Sequence, residues 1–573
     1  MSHIYSAAKE VWVWLGVEDD FTLPAIKTLR LMNSMPPDAP EWYWTANQHL
    51  NLPQDKVEDE AQEQIAKRNN WITKSISGFE ALLALLDRAW FQRVWIMQEI
   101  TMAMRVTLMC GSYSLSWDDL FRAVQRPYHP CNDPACNRGR LLSYKFSPAI
   151  KFNLGNRGSE AQILTEVRLR TRTDIEERRY LYDQTQSLFD GSNKAHFSII
   201  WDNKISLSLL LACSWHFKAQ DPRDKVFALL GMSRQEDRNK IVIDYELPVE
   251  QLYTSIAAMF LAGSGSDVLQ DWKNGDSEGL ELLEGLSFIQ RSSIDQPSWP
   301  TRTSNLPSWV PDFNQPLISS RIFRPRFQAA SSNLAGRSSF EVQGNVLKVQ
   351  GFILDRVGAV AEESHQNPGT NSLFFNLESW LRITHSLEPV YAATGQNRAE
   401  VLWRTLMLDE TEPVGQERAK ESFREWVEMF SLELYHSQRS RKLYDDLKAT
   451  DDSNSLIELG PFVNEDEGKR LGVRSVNYSP RHDGSFYYLW VSVDLTRRLF
   501  TTRNGYMGLG PGIVEPGDVV VLIAGARTPY ILRPLVGQDS PTRYSFIGEA
   551  YVHGVMNGEA LDGREDVFEA LEL

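Results

Sequence analysis

Residues 88–111, RAWFQRVWIMQEITMAMRVTLMCG, place two tryptophans, a Gln-Glu pair and an abrupt change of apolar period in one stretch, and this stretch constrains the fold most. Read as one helix from Phe79 to about Arg105, residues Trp90, Phe91, Val94, Trp95, Ile96, Met97 and Ile100 leave almost no polar side. Such a helix belongs in an interior. Arg88, Gln92 and Glu99 then fall within about 40° of one another as a single polar stripe. Asp87, Arg93 and Gln98 lie among apolar neighbours and need buried partners. The stripe is either a network that holds a core together or a site. Residues 106–110 (VTLMC) break the helical period before Gly111. Upstream, residues 11–16 (VWVWLG) form a short apolar run ending in Gly, which reads as a buried strand. Strand, helix and strand in succession predict an α/β layer.

A chain of 573 residues exceeds one typical core, so about two to four domains are expected. With 42% apolar residues and 17 tryptophans it has ample material to offset the chain entropy lost on folding, which excludes a wholly disordered protein. The net charge is −15. Binding to phosphate backbones needs clustered positive charge, and the one basic stretch, residues 168–179 (RLRTRTDIEERR), is interrupted by acids and reads as a solvated helix face. Nucleic acid is therefore not an expected partner. Four cysteines make no disulfide framework, and the N-terminal residues lack the basic start and long apolar core of a signal peptide. Apolar runs such as residues 519–526 fall far short of the ~20 residues that span a bilayer. An intracellular, reducing setting without a membrane partner is expected. His129, Cys131 and Cys136 (HPCNDPACNRG) are three potential zinc ligands. Their Cys-x4-Cys spacing is at the edge of the usual range and no second pair follows, so the segment reads as a surface turn and no metal is expected.

Along the chain, residues 35–59 are proline and acid rich and read as an exposed insertion. Five segments are expected: 1–120, an α/β domain; 121–240, a helical extension; 241–335, a helical connector; 336–480, a β-hairpin followed by helices; and 481–573, a C-terminal antiparallel β barrel or sandwich. In the second, DPRDKVFALLGM opens on Asp221 as a cap with Pro222 at the first helical position, and Gly231 ends the helix. Residues 241–245 are strand-like, and PSWVPDF is a rigid turn with prolines around aromatics. FEVQGNVLKVQGFILDRVGAV alternates around Gly turns as a hairpin does. The last segment holds five strand-like runs, FYYLWVSV, RRLFTTRNG, GDVVVLIAGA, PYILRPL and YSFIGEAYVHGVM, split by Gly and Pro. The whole is α+β.

Chemistry-bearing motifs are few. There is no G-x-x-x-x-G-K-[ST] loop, no G-x-S-x-G elbow and no H-E-x-x-H, and the glycine-rich GYMGLGPG lacks the Lys and helix of a nucleotide cradle. Asp221, Arg223 and Asp224 form a charged corner that suits the positive end of a helix dipole, or lines a cleft. Glu549 and His553 share a strand face with Tyr551, as a structural pair or a site. Glu99 is the most attractive catalytic acid, because burial would raise its pKa while Arg88 or Arg93 would oppose the shift.

IYSAAKEVWVWLG, RAWFQRVWIMQEI, DPRDKVFALLGM, LPSWVPDF and the glycine-punctuated tail, in this order, resemble the fungal heterokaryon incompatibility (HET) domain family. Trp14, Gly16, Trp90, Arg93, Trp95, Gln98, Glu99, Asp221, Arg223, Asp224 and Gly231 carry the resemblance. The family's A-L-S-Y-x-W-G and W-x-D-x-x-C-I-N-Q motifs are absent, which implies that only the second half of the domain is represented. A sheet without its leading strands exposes an edge, so self-association is an expectation. The resemblance implies a cytoplasmic protein of non-self recognition or programmed cell death that works through protein partners. It also implies a distant likeness to TIR domains, some of which cleave NAD with a glutamate. The alternatives are thus a TIR-like NAD hydrolase with Glu99 and Arg93 at its centre and NAD as substrate rather than cofactor, or an inactive relative with a binding role.

Overall fold

The computed structural model describes residues 2–34, 81–82, 84–120, 207–215, 217–263, 286, 303–315, 327–330, 340–362, 375–409, 416, 420, 497–535, 543–562 and 568–573. These residues fall into two compact units, one ending at Val249 and one beginning at Glu250.

The first unit opens with α1 (Ser2–Ala7), β1 (Val11–Trp14) and α2 (Thr22–Ser34). Asp19 caps α2: its Oδ1 accepts the Thr22 N–H at 3.0 Å, and the Thr22 hydroxyl in turn accepts the Asp19 N–H at 3.0 Å. β1 pairs in parallel with β2 (Val106–Cys110), in the register Val11 to Val106 and Trp14 to Met109. β2 then turns at Gly111 into antiparallel β3 (Tyr113–Ser116). The expected strand, helix and strand are present, but β1 is an edge strand in the order β1-β2-β3, not a buried one. Val13 and Leu15 are buried, whereas Trp12 and Trp14 are 65% and 55% exposed. With a period of two, only one face of a strand on a half-covered sheet can enter the core.

The single helix expected from Phe79 to Arg105 does not form. The chain makes a 3-10 turn (Ala89–Gln92), extends at Arg93 (φ −87°, ψ 133°), and resumes as α3 (Ile96–Thr101). Tertiary pairing overrides helical period here. The Val94 N–H donates to the Lys218 carbonyl at 2.9 Å, and the Lys218 N–H donates to the Gln92 carbonyl at 2.5 Å. Phe91, Val94, Ile96, Met97 and Ile100 are fully buried, as the apolar pattern requires.

The same unit continues with α4 (Leu207–Ser214), α5 (Asp224–Leu230) and α6 (Gln235–Asn239). α5 packs against both α3 and α4, and every residue from Lys225 to Leu230 is buried. Asp221 and Pro222 sit in a tight turn leading into α5, not in the helix itself, and Gly231 closes α5 in right-handed geometry (φ −60°). Residues 241–245 pair with no described strand.

The second unit begins with α7 (Val249–Gly263), whose Tyr253 meets Phe313 of the PSWVPDF turn edge to face at 5.0 Å. β4 (Phe340–Gln343) and the 15-residue β5 (Val346–Val360) form the expected hairpin. After α8 (Phe375–His385) and α9 (Arg398–Leu406) come β6 (Arg497–Thr502), β7 (Met507–Pro511), β8 (Val519–Ile523), β9 (Tyr530–Pro534), β10 (Tyr544–Glu549), β11 (Tyr551–Val552) and β12 (Glu569–Glu572). FYYLWVSV lies outside the described residues. The strand order is β10-β9-β8-β5-β6-β7-β11, with β4 and β12 also on β5, and all pairings are antiparallel. β10 and β11 stand at opposite ends of this order yet are joined by Ala550 alone, so the chain itself closes the sheet into a barrel. Bulges in β5, between Ile353 and Asp355 and between Val357 and Ala359, give the long strand the bends that closure demands. Val357, Phe500, Val520, Leu522, Ile531, Ile547 and Val552 fill the interior as one cluster. Overall the protein is α+β.

Candidate functional site

Glu99 lies in the first turn of α3, half-buried, and the Trp90 side chain hydrogen-bonds to its carboxylate. One unbroken helix would set residues 90 and 99 on opposite faces, about 180° apart, and the extended backbone at Arg93 removes that constraint. Burial pushes the Glu99 carboxyl above its ordinary value, against the opposing pull of the Arg93 guanidinium and the Trp90 bond. Tyr5, from α1, belongs to the same cluster: its hydroxyl is pushed up by burial and by the Glu99 charge, and pulled down by Arg93. Arg93 is exposed, where the helical wheel had placed it among apolar neighbours. The structure thus gathers a half-buried carboxyl, a guanidinium, a phenol and an indole. Such a group keeps its carboxyl proton to higher pH than an exposed glutamic acid does, or stabilises positive charge on a bound molecule. Tyr5 is the member missed in the sequence, where nothing in α1 marks it.

The polar stripe is dissolved by the same break. Arg88 turns away from Glu99 to the loop after β1, donating from Nη1 to the carbonyls of Leu15 and Val17, both at 2.9 Å. Its Nη2 meets Asp19 Oδ2 at 2.7 Å and the Thr22 hydroxyl at 3.2 Å. Gln92 donates to the Asp87 carbonyl at 2.9 Å. Gln98 is buried and donates to the Ala228 carbonyl of α5 at 2.7 Å, so it ties two helices together. Trp95 is half-buried at the start of α3. Gly16 (φ +108°) passes the Arg88 side chain so closely that an added Cβ would lie 3.1 Å from Nη1. Its carbonyl accepts the Gly111 N–H at 2.9 Å, which joins the loop after β1 to the β2–β3 turn. Trp14, by contrast, projects into solvent from β1, remote in role from this node.

The Asp221, Arg223 and Asp224 corner is an architectural knot. Arg223 grips Asp221 with Nε and Nη2, at 3.0 and 2.9 Å, and this pairing holds the Asp221 carboxyl below its usual range. Its Nη1 donates to the carbonyls of Tyr245 and Leu247, and the guanidinium lies 5.5 Å from the Tyr245 ring centre. The Tyr245 hydroxyl donates to Asp224 at 2.7 Å. Lys225, buried in the first turn of α5, donates to the carbonyls of Trp215 and Phe217, which follow α4. Every charged side chain of the motif is spent on backbone or on a neighbour, and Glu99 remains the better candidate site.

In the barrel, Glu549 and His553 have different hydrogen-bond partners in view. Glu549 pairs with Arg497 at 3.1 Å, while His553 Nδ1 lies 3.0 Å from the Tyr551 hydroxyl. Among the described residues no group of three His, Cys, Asp or Glu side chains could hold a metal ion. His129, Cys131 and Cys136 fall outside those residues. No described helix is long and apolar enough to cross a membrane.

The sequence pattern of the Heterokaryon incompatibility protein (HET) family matches residues 1–99, and that of the Het-6 beta-barrel domain matches residues 344–569. One relative, "Heterokaryon incompatibility protein 6, OR allele" of Neurospora crassa, is 24% identical over 589 residues, covering 99% of this chain and 79% of the relative. No solved structure matches.

Proposed function

We propose that this chain, a heterokaryon incompatibility (HET) family protein, acts in a filamentous fungus as a cytoplasmic component of non-self recognition that triggers growth arrest or programmed cell death through protein partners. One observation carries this reading. The HET pattern and the Het-6 barrel pattern occur in order on a chain that aligns almost end to end with an incompatibility protein. A test is to express the chain in one of two otherwise compatible strains and to score fused compartments for uptake of a vital dye. Dye-positive fusion cells are expected. Surviving fusion cells that contain the intact chain would overturn the proposal.

The Glu99 cluster supports a second reading, hydrolysis of NAD to nicotinamide and ADP-ribose. In that reaction the Glu99 carboxylate would stabilise the positive charge that develops on the ribose as nicotinamide leaves, and water would complete the substitution. Arg93 would bind phosphate, and Tyr5 and Trp90 would wall the site. Purified protein should then consume NAD and Glu99→Ala should not; an NAD pool unchanged by wild type over long incubation would sink this reading. An inactive relative with a binding role remains the outcome if folded protein neither kills nor consumes NAD yet retains a protein partner.

A further inference from the structure

β1 ends its sheet with an unused edge. In the parallel pairing with β2, the N–H groups of Val11 and Leu15 donate to the carbonyls of Arg105 and Met109, each at 2.8 Å. Alternate residues of a strand turn their backbone groups to opposite sides, so Trp12 and Trp14 direct both N–H and C=O away from β2. Among the described residues β1 pairs with β2 alone. Residues 11–14 contain no charge, no proline and no bulge, the devices by which edge strands ordinarily avoid pairing.

The side chains along this edge are apolar and open to solvent: Trp12, Trp14, Val17 and Phe21 are each more than half exposed. Contiguous exposure of this kind marks a contact surface. Charge is polarised along the strand. Lys9 is exposed before it, and Glu18 and Asp20 are exposed after it. Glu10, the acid beside Lys9, is engaged within its own sheet, accepting the Thr107 hydroxyl at 2.7 Å and a hydrogen bond from the Trp12 side chain. The edge therefore fits an extended segment with an apolar centre, acids opposite Lys9 and a base opposite the Glu18 end. Residues 9–20 of this chain, run antiparallel, have that pattern at both ends at once.

We propose that β1 pairs with β1 of a second copy, antiparallel about a two-fold axis at Val13, so that the two sheets become one. Trp12 then stands opposite Trp14 of the partner subunit, and the reverse. Each such pair exchanges both of its backbone hydrogen bonds, because these are the residues whose N–H and C=O face outward. The indoles meet as cross-strand aromatic pairs on the exposed face, and Lys9 lies beside the Glu18 end of the other strand. A two-fold contact of this kind uses the same patch on both copies and closes at a dimer.

Sedimentation velocity of the full chain through a dilution series should show mass moving between 65.5 kDa and twice that value. Hydrogen exchange read at single residues should show the Trp12 and Trp14 amides slowing as concentration rises, whereas those of Val242 and Ile243, also exposed, keep their rates. Trp12→Lys with Trp14→Lys alters side chains that face solvent in the single copy, so the thermal midpoint of dilute protein should hold. In the pair it sets like charges opposite one another and should weaken association at least about tenfold. Trp12→Lys with Trp14→Glu sets opposite charges across both pairs and should recover association. A wild type that stays a single copy throughout would leave the edge to a different protein and overturn the pairing. So would unchanged exchange at Trp12 and Trp14, undiminished association of the first double variant, or a second double variant as weak as the first.

Discussion

The buried ion pair between Arg497 and Glu549 offers a sharp test of how the barrel is held closed. Arg497 is on β6 and Glu549 ends β10, immediately before the single residue that links the two ends of the strand order. Arg497 donates from Nη1 to the Glu549 carbonyl at 2.9 Å and from Nη2 to Oε1 at 3.1 Å, and each side chain is 1% exposed. Removing one partner leaves an uncompensated charge in the interior, which costs about 3–5 kcal/mol. Arg497→Met and Glu549→Leu should each lose about that much. In a domain of this size that lowers the thermal midpoint of the barrel transition by roughly 6–20 °C. Replacing both, as Arg497→Met with Glu549→Leu, removes both charges and should recover to within about 1–2 kcal/mol of wild type. Calorimetry of the full chain, with urea titration to check that the slope is unchanged, measures all four corners of the cycle. Single variants within about 1 kcal/mol of wild type, or a double variant as unstable as the sum of the singles, would refute the reasoning.

Further outcomes concern the first unit. Arg88→Lys keeps the charge but loses the fork that reaches two carbonyls, Asp19 and Thr22, and should cost about 1–3 kcal/mol, read as lost amide protection over residues 15–22. Gly111→Ala forces a side chain into left-handed backbone (φ +56°) with its Cβ 2.6 Å from Glu18; a loss of about 1–3 kcal/mol is expected in urea unfolding. Glu99 has a raised pKa, so its protonated form is favoured on folding and its ionised form weakens the fold as pH rises through that value. Glu99→Gln should therefore be more stable than wild type at pH 7, with the gain shrinking as pH falls through the raised value and gone below about pH 4.3, which paired urea titrations would show.

The hairpin at residues 340–360, the C-terminal strands at residues 497–502, 519–523, 530–534 and 544–549 and the burial of Phe91, Val94, Ile96, Met97 and Ile100 were legible because each rests on local period and turn chemistry. The break at Arg93 was not. Its cause is the hydrogen bonding of residues 92–94 with Lys218, more than a hundred residues away, and no local pattern encodes such a pairing. That one break sends Arg88 to the loop after β1, frees Arg93 to solvent and brings Trp90 to Glu99. The periodicity was therefore right about the core and wrong about the stripe. Tyr5 joins Glu99 only through tertiary packing, and the closure of the barrel through Ala550 is a matter of strand order, which alternation alone does not specify.

The central claim is that this chain is an incompatibility effector, and growth of a fungal host carrying it under an inducible promoter tests it most directly. The account predicts that radial growth stops after induction and that hyphae take up vital dye. Unimpeded growth, while soluble protein with its cooperative thermal transition intact accumulates, would contradict it.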